Sequence, residues 1–311
     1  MLDTLSKSLF HLLAASDGLK RLASTYGMRS PESFARRFIA GESVHEAIEA
    51  ARQVQARGML VSLDLLGESV ASHTEAAKAT REYLQVIDEI IDAGVERNIS
   101  LKLTQLGLEI DRATATDNLR RILDVAGRHE FFVRIDMENS PFTEVTLDIF
   151  ETLWQLGYCS AGVVLQSALK RSEQDMQRMM RLGARIRLVK GAYKESRSIA
   201  YASKSDVDAA YVRMMRGLLT DATYPAIATH DPAMIEATRA WAQERQIPPE
   251  RFEFQMLFGI RRDLQQSLVD EGYRVRVYIP FGREWFPYFM RRLGERPANV
   301  GFVVRGILSE G

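Results

Sequence analysis

"RIRLVKGAYKE", residues 185–195, begins as a buried strand and ends as a site. Arg187 and Lys190 stand either side of Leu188 and Val189, so two cations bracket an apolar strand end. Gly191 follows, where backbone can approach a ligand with no Cβ in the way. Taken alone, the stretch reads as a strand end carrying two solvated bases, and only the rest of the chain can change that reading.

The rest of the chain repeats the pattern. Short β-branched or aliphatic runs, each followed by a longer amphipathic stretch, start at "MLVSLDLLGE" (59), "ISLKLTQLG" (99), "FFVRIDMEN" (131), "AGVVLQSAL" (161), "RIRLVKGAY" (185), "PAIATHD" (225), "FEFQMLFG" (252) and "RVRVYIPFG" (274). Their spacing is near the size of one βαβ unit, and eight units in series predict an α/β fold of the closed (β/α)8 TIM type. Between runs the helices carry recognisable ends: in "THDPAMIEATRAWAQERQIPPE", Asp231 is the expected N-cap, Pro232 the first helical residue, and Pro248 with Pro249 the stop. Residues 1–56 read as helices without strands, an N-terminal arm with no assigned place on the barrel of residues 57–311.

Composition narrows the function. With 311 residues, 46% hydrophobic and 26% charged, the chain can bury a sizeable core. Lys plus Arg equals Asp plus Glu at 41 each, so no basic excess advertises a nucleic-acid partner. Cys159 is the single cysteine, which excludes an intramolecular disulfide and suits a reducing compartment. No apolar run approaches the roughly 18 residues that span a bilayer, so a cytoplasmic protein, at most peripheral on the membrane, is expected. The five histidines are scattered and "HEAIEA" at 45 is not HExxH, so no metal is expected. There is no GxGxxG and no P-loop, so any nucleotide must bind by another route.

In such barrels the chemistry sits at the C-terminal ends of the strands. The runs close with Asp64 and Glu68, Lys102, Asp136 and Glu138, Gln166, Lys190 and Tyr193, Thr229 and His230, Gln255, and Tyr278. A polar side chain at the end of all eight is the signature of an active-site rim. Lys102 or Lys190 as a Schiff-base nucleophile of an aldolase is the best rival reading from residues alone.

Together, "RLVKGAY", "IDMEN", "VVLQ", "ATHD", "FEFQML" and "YIPFGREWFPYFMRRLGERPANV" resemble the proline dehydrogenase family, in particular its short single-function bacterial members. The resemblance runs from "SLDLLGE" to "GFVVR". It implies a (β/α)8 barrel that holds FAD and oxidises L-proline to Δ1-pyrroline-5-carboxylate by hydride transfer from C5 to flavin N5, with a membrane quinone taking the electrons. By that resemblance Arg187, Val189, Lys190, Gly191 and Ala192 surround the flavin and Gln166 reaches its ring edge. Thr229, His230, Gln255 and Met256 hold its other parts, and Glu295 is a carboxylate nearby.

For the substrate, the resemblance implies a carboxylate clamp of Lys102, Arg291 and Arg292, supported by Asp136 and Tyr278, and a ring pocket of Tyr193, Leu257 and Tyr288. Glu68 is expected to pair with Arg291 as a gate. For the arginine pair to reach the rim, the last helix must lie over the barrel mouth and not along its flank. The larger bifunctional members often carry Trp after "KGAY", where this chain has Lys194. Each residue has a plainer role available: a basic helix face for "MRRLGER", core packing for the tyrosines and Leu257, and a buried ion pair for Lys102 with Asp136. Another flavin barrel, such as a methylenetetrahydrofolate reductase, and a proline-sensing module without turnover are the remaining alternatives. The amphipathic start, with Leu2, Leu5, Leu9, Leu12 and Leu13, is expected to pack on the barrel or to touch a bilayer.

Overall fold

In the computed structural model, which describes residues 33–295, eight parallel strands hydrogen-bond in sequence order and close on themselves. They are β1 Leu60–Leu65, β2 Asn98–Leu101, β3 Phe132–Ile135, β4 Ala161–Gln166, β5 Arg185–Val189, β6 Ala226–Ala228, β7 Glu253–Leu257 and β8 Val275–Phe281. All eight fall on the runs read from the sequence. The last seam is the longest, with six residues of β1 from Leu60 to Leu65 in register with Arg276 to Phe281 of β8.

The helices among the described residues are α1 Val44–Gln55, α2 His73–Ala93, α3 Arg112–Arg128, α4 Ser140–Gln155, α5 Ser172–Arg181, α6 Lys204–Asp221, α7 Pro232–Glu244, α8 Arg262–Asp270 and α9 Trp285–Glu295. Their starts follow capping chemistry: Ser43, Ser72, Asp111, Ser203 and Asp231 each accept a backbone N–H of the first turn. For α7 the N-cap and Pro232 stand where expected, but the helix ends at Glu244, before the prolines. Gln246 turns the chain at φ 53°, and Pro249 opens a short 3₁₀ turn instead of stopping the helix. No helix of the described residues is long and apolar enough to cross a membrane.

Apolar strand residues such as Val61, Leu63, Ile99, Val133, Ile186 and Val277 face outward and pack with the helices into one core. The opposite faces carry Ser62, Ser100, Arg187, Glu253, Gln255 and Arg276, hydrogen-bonded to one another within the barrel. The oily layer is therefore the ring between strands and helices, while the lumen is polar.

The part of the N-terminal stretch that is described has a definite place. Helix α1 lies on the outer face of β1 and β8, with Ala47, Ile48 and Ala51 in the core. That is the flank a helix after β8 would ordinarily cover, and α9 is thereby free to cross the mouth. Its apolar face, Trp285, Phe286, Tyr288 and Phe289, packs on Leu66 and on Ala35, Phe38 and Ile39 of the segment leading into α1. Ala40 N–H donates to Pro280 O and Gly282 N–H to Gly41 O, both at 2.9 Å, while Trp285 Nε1 donates to Glu42 at 2.9 Å. Gly259 fits the same brace: at φ 74°, a Cβ there would lie 1.6 Å from the Arg37 carbonyl oxygen. The leucines at 2, 5, 9, 12 and 13 lie outside the described residues.

Candidate active site

The C-terminal ends of the strands and the underside of α9 enclose a cavity of about 420 Å³. One wall holds Lys102, Asp136, Tyr278, Tyr288, Arg291 and Arg292. Another holds Gln166, Arg187, Val189, Lys190, Gly191, Ala192 and Tyr193, and a third Thr229, His230, Gln255, Met256 and Leu257. Residues from the ends of seven strands, β2 to β8, and the last helix thus meet around one space. Glu295 ends α9, and its side chain lies outside what is described.

Lys102 stands just beyond β2, almost wholly buried. Its Nζ donates to both oxygens of Asp64 at 3.3 Å, to Asp136 Oδ2 at 3.5 Å and to the Tyr278 hydroxyl at 3.5 Å. Burial alone would lower its pKa, but the two carboxylates hold it well above the usual lysine value. Asp64 is fully buried, which raises its carboxyl above the ordinary range while Lys102 opposes the shift. Tyr278 donates to Asp136 Oδ2 at 3.0 Å, and burial followed by the charge of Asp136 pushes its hydroxyl well up, so it stays a neutral donor. An ammonium clamped in this way is a fixed cation and a poor amine nucleophile, which argues against the Schiff-base reading.

Arg187 extends the network along β5 into the lumen. It donates from NH1 to Asp136 Oδ1 at 2.8 Å, from NH2 to Ser100 Oγ at 3.1 Å and from Nε to Gln255 Oε1. Lys190, half-buried at the edge, donates to Asp208 of α6 and to Asp231, the N-cap of α7. The two cations of the opening stretch therefore both have carboxylate partners in the fold. Asp136, Asp208 and Asp231 balance them, so they are not the two solvated bases that the stretch suggests by itself.

Gln166 Nε2 donates to the Glu138 carbonyl at 2.8 Å, which turns its amide oxygen toward Gly191. Gly191 has φ 109°, which strains any residue with a side chain, and a Cβ there would sit 2.9 Å from that oxygen and push the Gln166 amide aside. Thr229 Oγ1 accepts Asp231 N–H at 3.0 Å, and His230 Nε2 accepts Leu257 N–H at 2.9 Å, tying β6 to the end of β7. Burial and then Glu138 push the Tyr193 hydroxyl up to about 12.

Over the mouth, Arg291 NH1 donates to Glu68 Oε1 at 2.7 Å. Arg292 lays its guanidinium 5.2 Å from the centre of the Tyr288 ring. Glu68 and Arg291 also line a second cavity, of about 310 Å³, which shares Lys102, Tyr288 and Arg291 with the main one. Sequence reasoning named Asp64 on the rim without giving it a role, and left out Ser100, Asp208 and Asp231 as site residues. Asp64 had a signal, as the one acid within an apolar strand, whereas Asp208 sits in an ordinary polar helix face and had none.

Three comparisons bear on this geometry. A family model described as Proline dehydrogenase matches residues 47–305. The chain is 42% identical over 303 residues to Proline dehydrogenase 2 of Bacillus subtilis (strain 168), covering 97% of this chain and 99% of that protein. It is 41% identical over 280 residues to Proline dehydrogenase of Deinococcus radiodurans, covering 89% and 90%. Among solved structures, proline utilization A (PutA) from Bdellovibrio bacteriovorus, inactivated by N-propargylglycine, superposes with a TM-score of 0.79 at 28% identity. That match takes in 84% of this chain and 32% of the other, so the chain spans about a third of the larger protein.

Proposed function

The chain belongs to the proline dehydrogenase family of proline-oxidising enzymes, and we propose that it oxidises L-proline to Δ1-pyrroline-5-carboxylate with FAD held in the large cavity. The observation that carries this reading is the convergence of three cations, Lys102, Arg291 and Arg292, with Tyr278 and Tyr288 on one side of a cavity whose other sides are built differently. Gly191 leaves a cradle beside Gln166, and Val164, Val189, Ala228 and Met256 offer apolar surface for a flat ring. Gln166, Arg187, Thr229, His230 and Gln255 supply the mixed donors and acceptors that a flavin's polar edge and ribityl chain require. The donor set and the cradle fit FAD.

When bound, FAD would supply the acceptor, at N5, for a hydride from proline C5, with the electrons passed on to a quinone. The chain's own residues do the rest. Two guanidinium forks and an ammonium suit bidentate capture of the substrate carboxylate. Asp64 and Asp136 keep Lys102 charged for that task, and Tyr278, held by Asp136, gives the cavity a fixed neutral donor. Leu257, Tyr193 and Tyr288 would hold the pyrrolidine ring, and α9 across the mouth excludes water, which strengthens each charge contact beneath it. Glu68 would hold Arg291 when the site is empty and yield it as the substrate arrives.

The visible spectrum of the purified protein, followed during anaerobic addition of L-proline, tests the reading. A yellow protein that bleaches is expected. A colourless one overturns the FAD assignment, and a yellow one that does not bleach overturns proline as the reductant.

Residues 1–56 are read as an arm attached to the barrel of residues 57–311, with the start of the arm packing on protein rather than on a bilayer. Quinone reduction would then need only peripheral contact with the membrane. Deleting residues 1–20 should leave liposome binding unchanged, and loss of binding would favour a membrane role for this stretch.

A further inference from the structure

The polar chain inside the barrel continues below the cavity. Glu253 stands two residues before Gln255 on β7, so strand alternation sends both side chains into the lumen. Its carboxylate is buried and receives four hydrogen bonds. Arg276 donates twice, from Nε to Oε1 at 2.8 Å and from NH2 to Oε2 at 3.0 Å; the Tyr224 hydroxyl donates to Oε2 at 3.1 Å, and Gln255 Nε2 to Oε1. Burial would push this carboxyl up, but the charge of Arg276 holds it below the usual range, so it is ionised and can only accept.

That restriction sets the next residue. Gln255 lies between a group that only accepts, Glu253, and a group that only donates, Arg187 Nε. Its amide therefore has one satisfied orientation, with the NH2 toward Glu253 and the oxygen toward Arg187. Turning it over would set N–H against N–H above and oxygen against carboxylate below. Arg187 in turn divides its remaining donors between Asp136 and Ser100, and Asp136 is the group that orders Tyr278 and Lys102.

We propose that Glu253, which lies outside the cavity, is a positioning residue for the oxidation: it fixes the Gln255 amide and, through it, the plane in which Arg187 meets the cavity and Asp136. This inference rests on reading the cavity as the site of flavin and proline. Arg276 is the anchor from below, donating also to the Val61 carbonyl at 2.6 Å and pairing with Glu96. The relay thus runs from the floor of the barrel to the reacting end through side chains alone.

Replacing Glu253 by Gln keeps its shape and gives position 253 a donor, which frees the Gln255 amide to turn. The rate of anaerobic bleaching by proline should fall about tenfold, as for one lost hydrogen bond to a charged group. In the same variant the absorption spectrum of the bound flavin should shift, and kcat should fall by more than KM rises. In a Gln255→Met background, adding Glu253→Gln should change kcat no further, because the relay is already cut. If Glu253→Gln does not fold because Arg276 has lost its counter-charge, Glu253→Asp keeps that charge while drawing the carboxylate back from Gln255, and the same readouts decide. A folded variant with wild-type bleaching rate and spectrum, and only a lower Tm, overturns the proposal and leaves Glu253 a structural counter-ion. A wild-type protein that binds flavin but is not bleached by proline sinks the functional reading instead, and the spectral shift still tests the positioning.

Discussion

Two clusters of acids and bases in this molecule are built from the same residue types and do different work. On the outside, Arg171, just before α5, and Arg178 of α5 face Glu144, Asp148 and Glu151 of α4, with Arg178 NH2 donating to Asp148 at 2.7 Å and NH1 to Glu144 at 3.0 Å. At the mouth, Asp64, Lys102, Asp136 and Arg187 interlock at similar distances. The outer cluster has side chains 25% to 55% exposed, whereas Lys102 is 10% and Asp64 0% exposed. Water screens the first set and has been removed from the second, so the outer pairs hold helices together weakly while the inner ones form a charged framework that is costly to disturb.

The largest break in that comparison is Lys102→Met. It leaves Asp64 buried without its cation and should lower stability by about 3 to 5 kcal/mol and abolish proline oxidation. The loss depends on pH in a defined direction. The Asp64 carboxyl is already raised in the folded protein, and removing Lys102 takes away the charge that restrains it. A carboxyl with a raised folded pKa opposes folding only when ionised, so its penalty is absent below the unfolded value and complete above the folded one. The gap between variant and wild type should therefore narrow as pH falls from neutral toward the ordinary carboxylate range, as denaturant titrations at several pH values would report. An equal gap at every pH would show that Asp64 is not the stranded group.

Arg292→Met ranks next. With the substrate carboxylate left facing a depleted clamp in a closed site, kcat/KM should fall by about 3 to 5 kcal/mol, roughly 100-fold to several thousand-fold, with flavin still bound. A value within a few fold of wild type removes Arg292 from the clamp.

Glu68→Ala sharpens the comparison, because the Glu68–Arg291 pair is intermediate, with side chains 31% and 21% exposed. A partly screened pair of this kind is worth about 0 to 1 kcal/mol, so Tm should move little while KM for proline rises. Kinetics of Glu68→Ala, Arg291→Ala and the double variant decide whether the two act as a unit; purely additive effects reject the gate. Smallest of all is Arg178→Ala, expected to cost at most about 1 kcal/mol with unchanged kcat. A larger loss would mean that the outer cluster acts as a framework too.

The barrel was legible because its signal is local. Runs such as "AGVVLQ" need only period and composition to be recognised, and all eight strands lie where those runs do. The mouth position of α9 followed from the need to bring Arg291 to the rim. The placement of α1 was not legible, since "VHEAIEAARQVQ" has one apolar stripe that would suit any flank. The polar lumen was hidden for a similar reason: Arg134, Glu253 and Arg276 each read as an ordinary charge within a strand, and only closure of the sheet brings them together beneath Arg187. Lys190 shows the same limit: by itself it reads as a solvated base after a strand, because its partners Asp208 and Asp231 lie 18 and 41 residues further on.

The seam between β8 and β1 has a consequence for how the chain comes to be folded. During synthesis, residues 44–55 leave the ribosome early, yet β8, one of the two strands that α1 covers, is more than 200 residues behind. Until β8 arrives, Ala47, Ile48 and Ala51 have half of their surroundings missing, and the sheet has two unpaired edges. Contacts this distant along the chain are slow to form and leave sticky surface exposed meanwhile. The lid helix α9 follows β8 directly and rests on residues 35–39, so the active-site roof is among the last parts to be secured. A nascent chain arrested short of residue 275 should therefore carry most of the strands and none of the activity, and should depend on chaperones in a way the released protein does not.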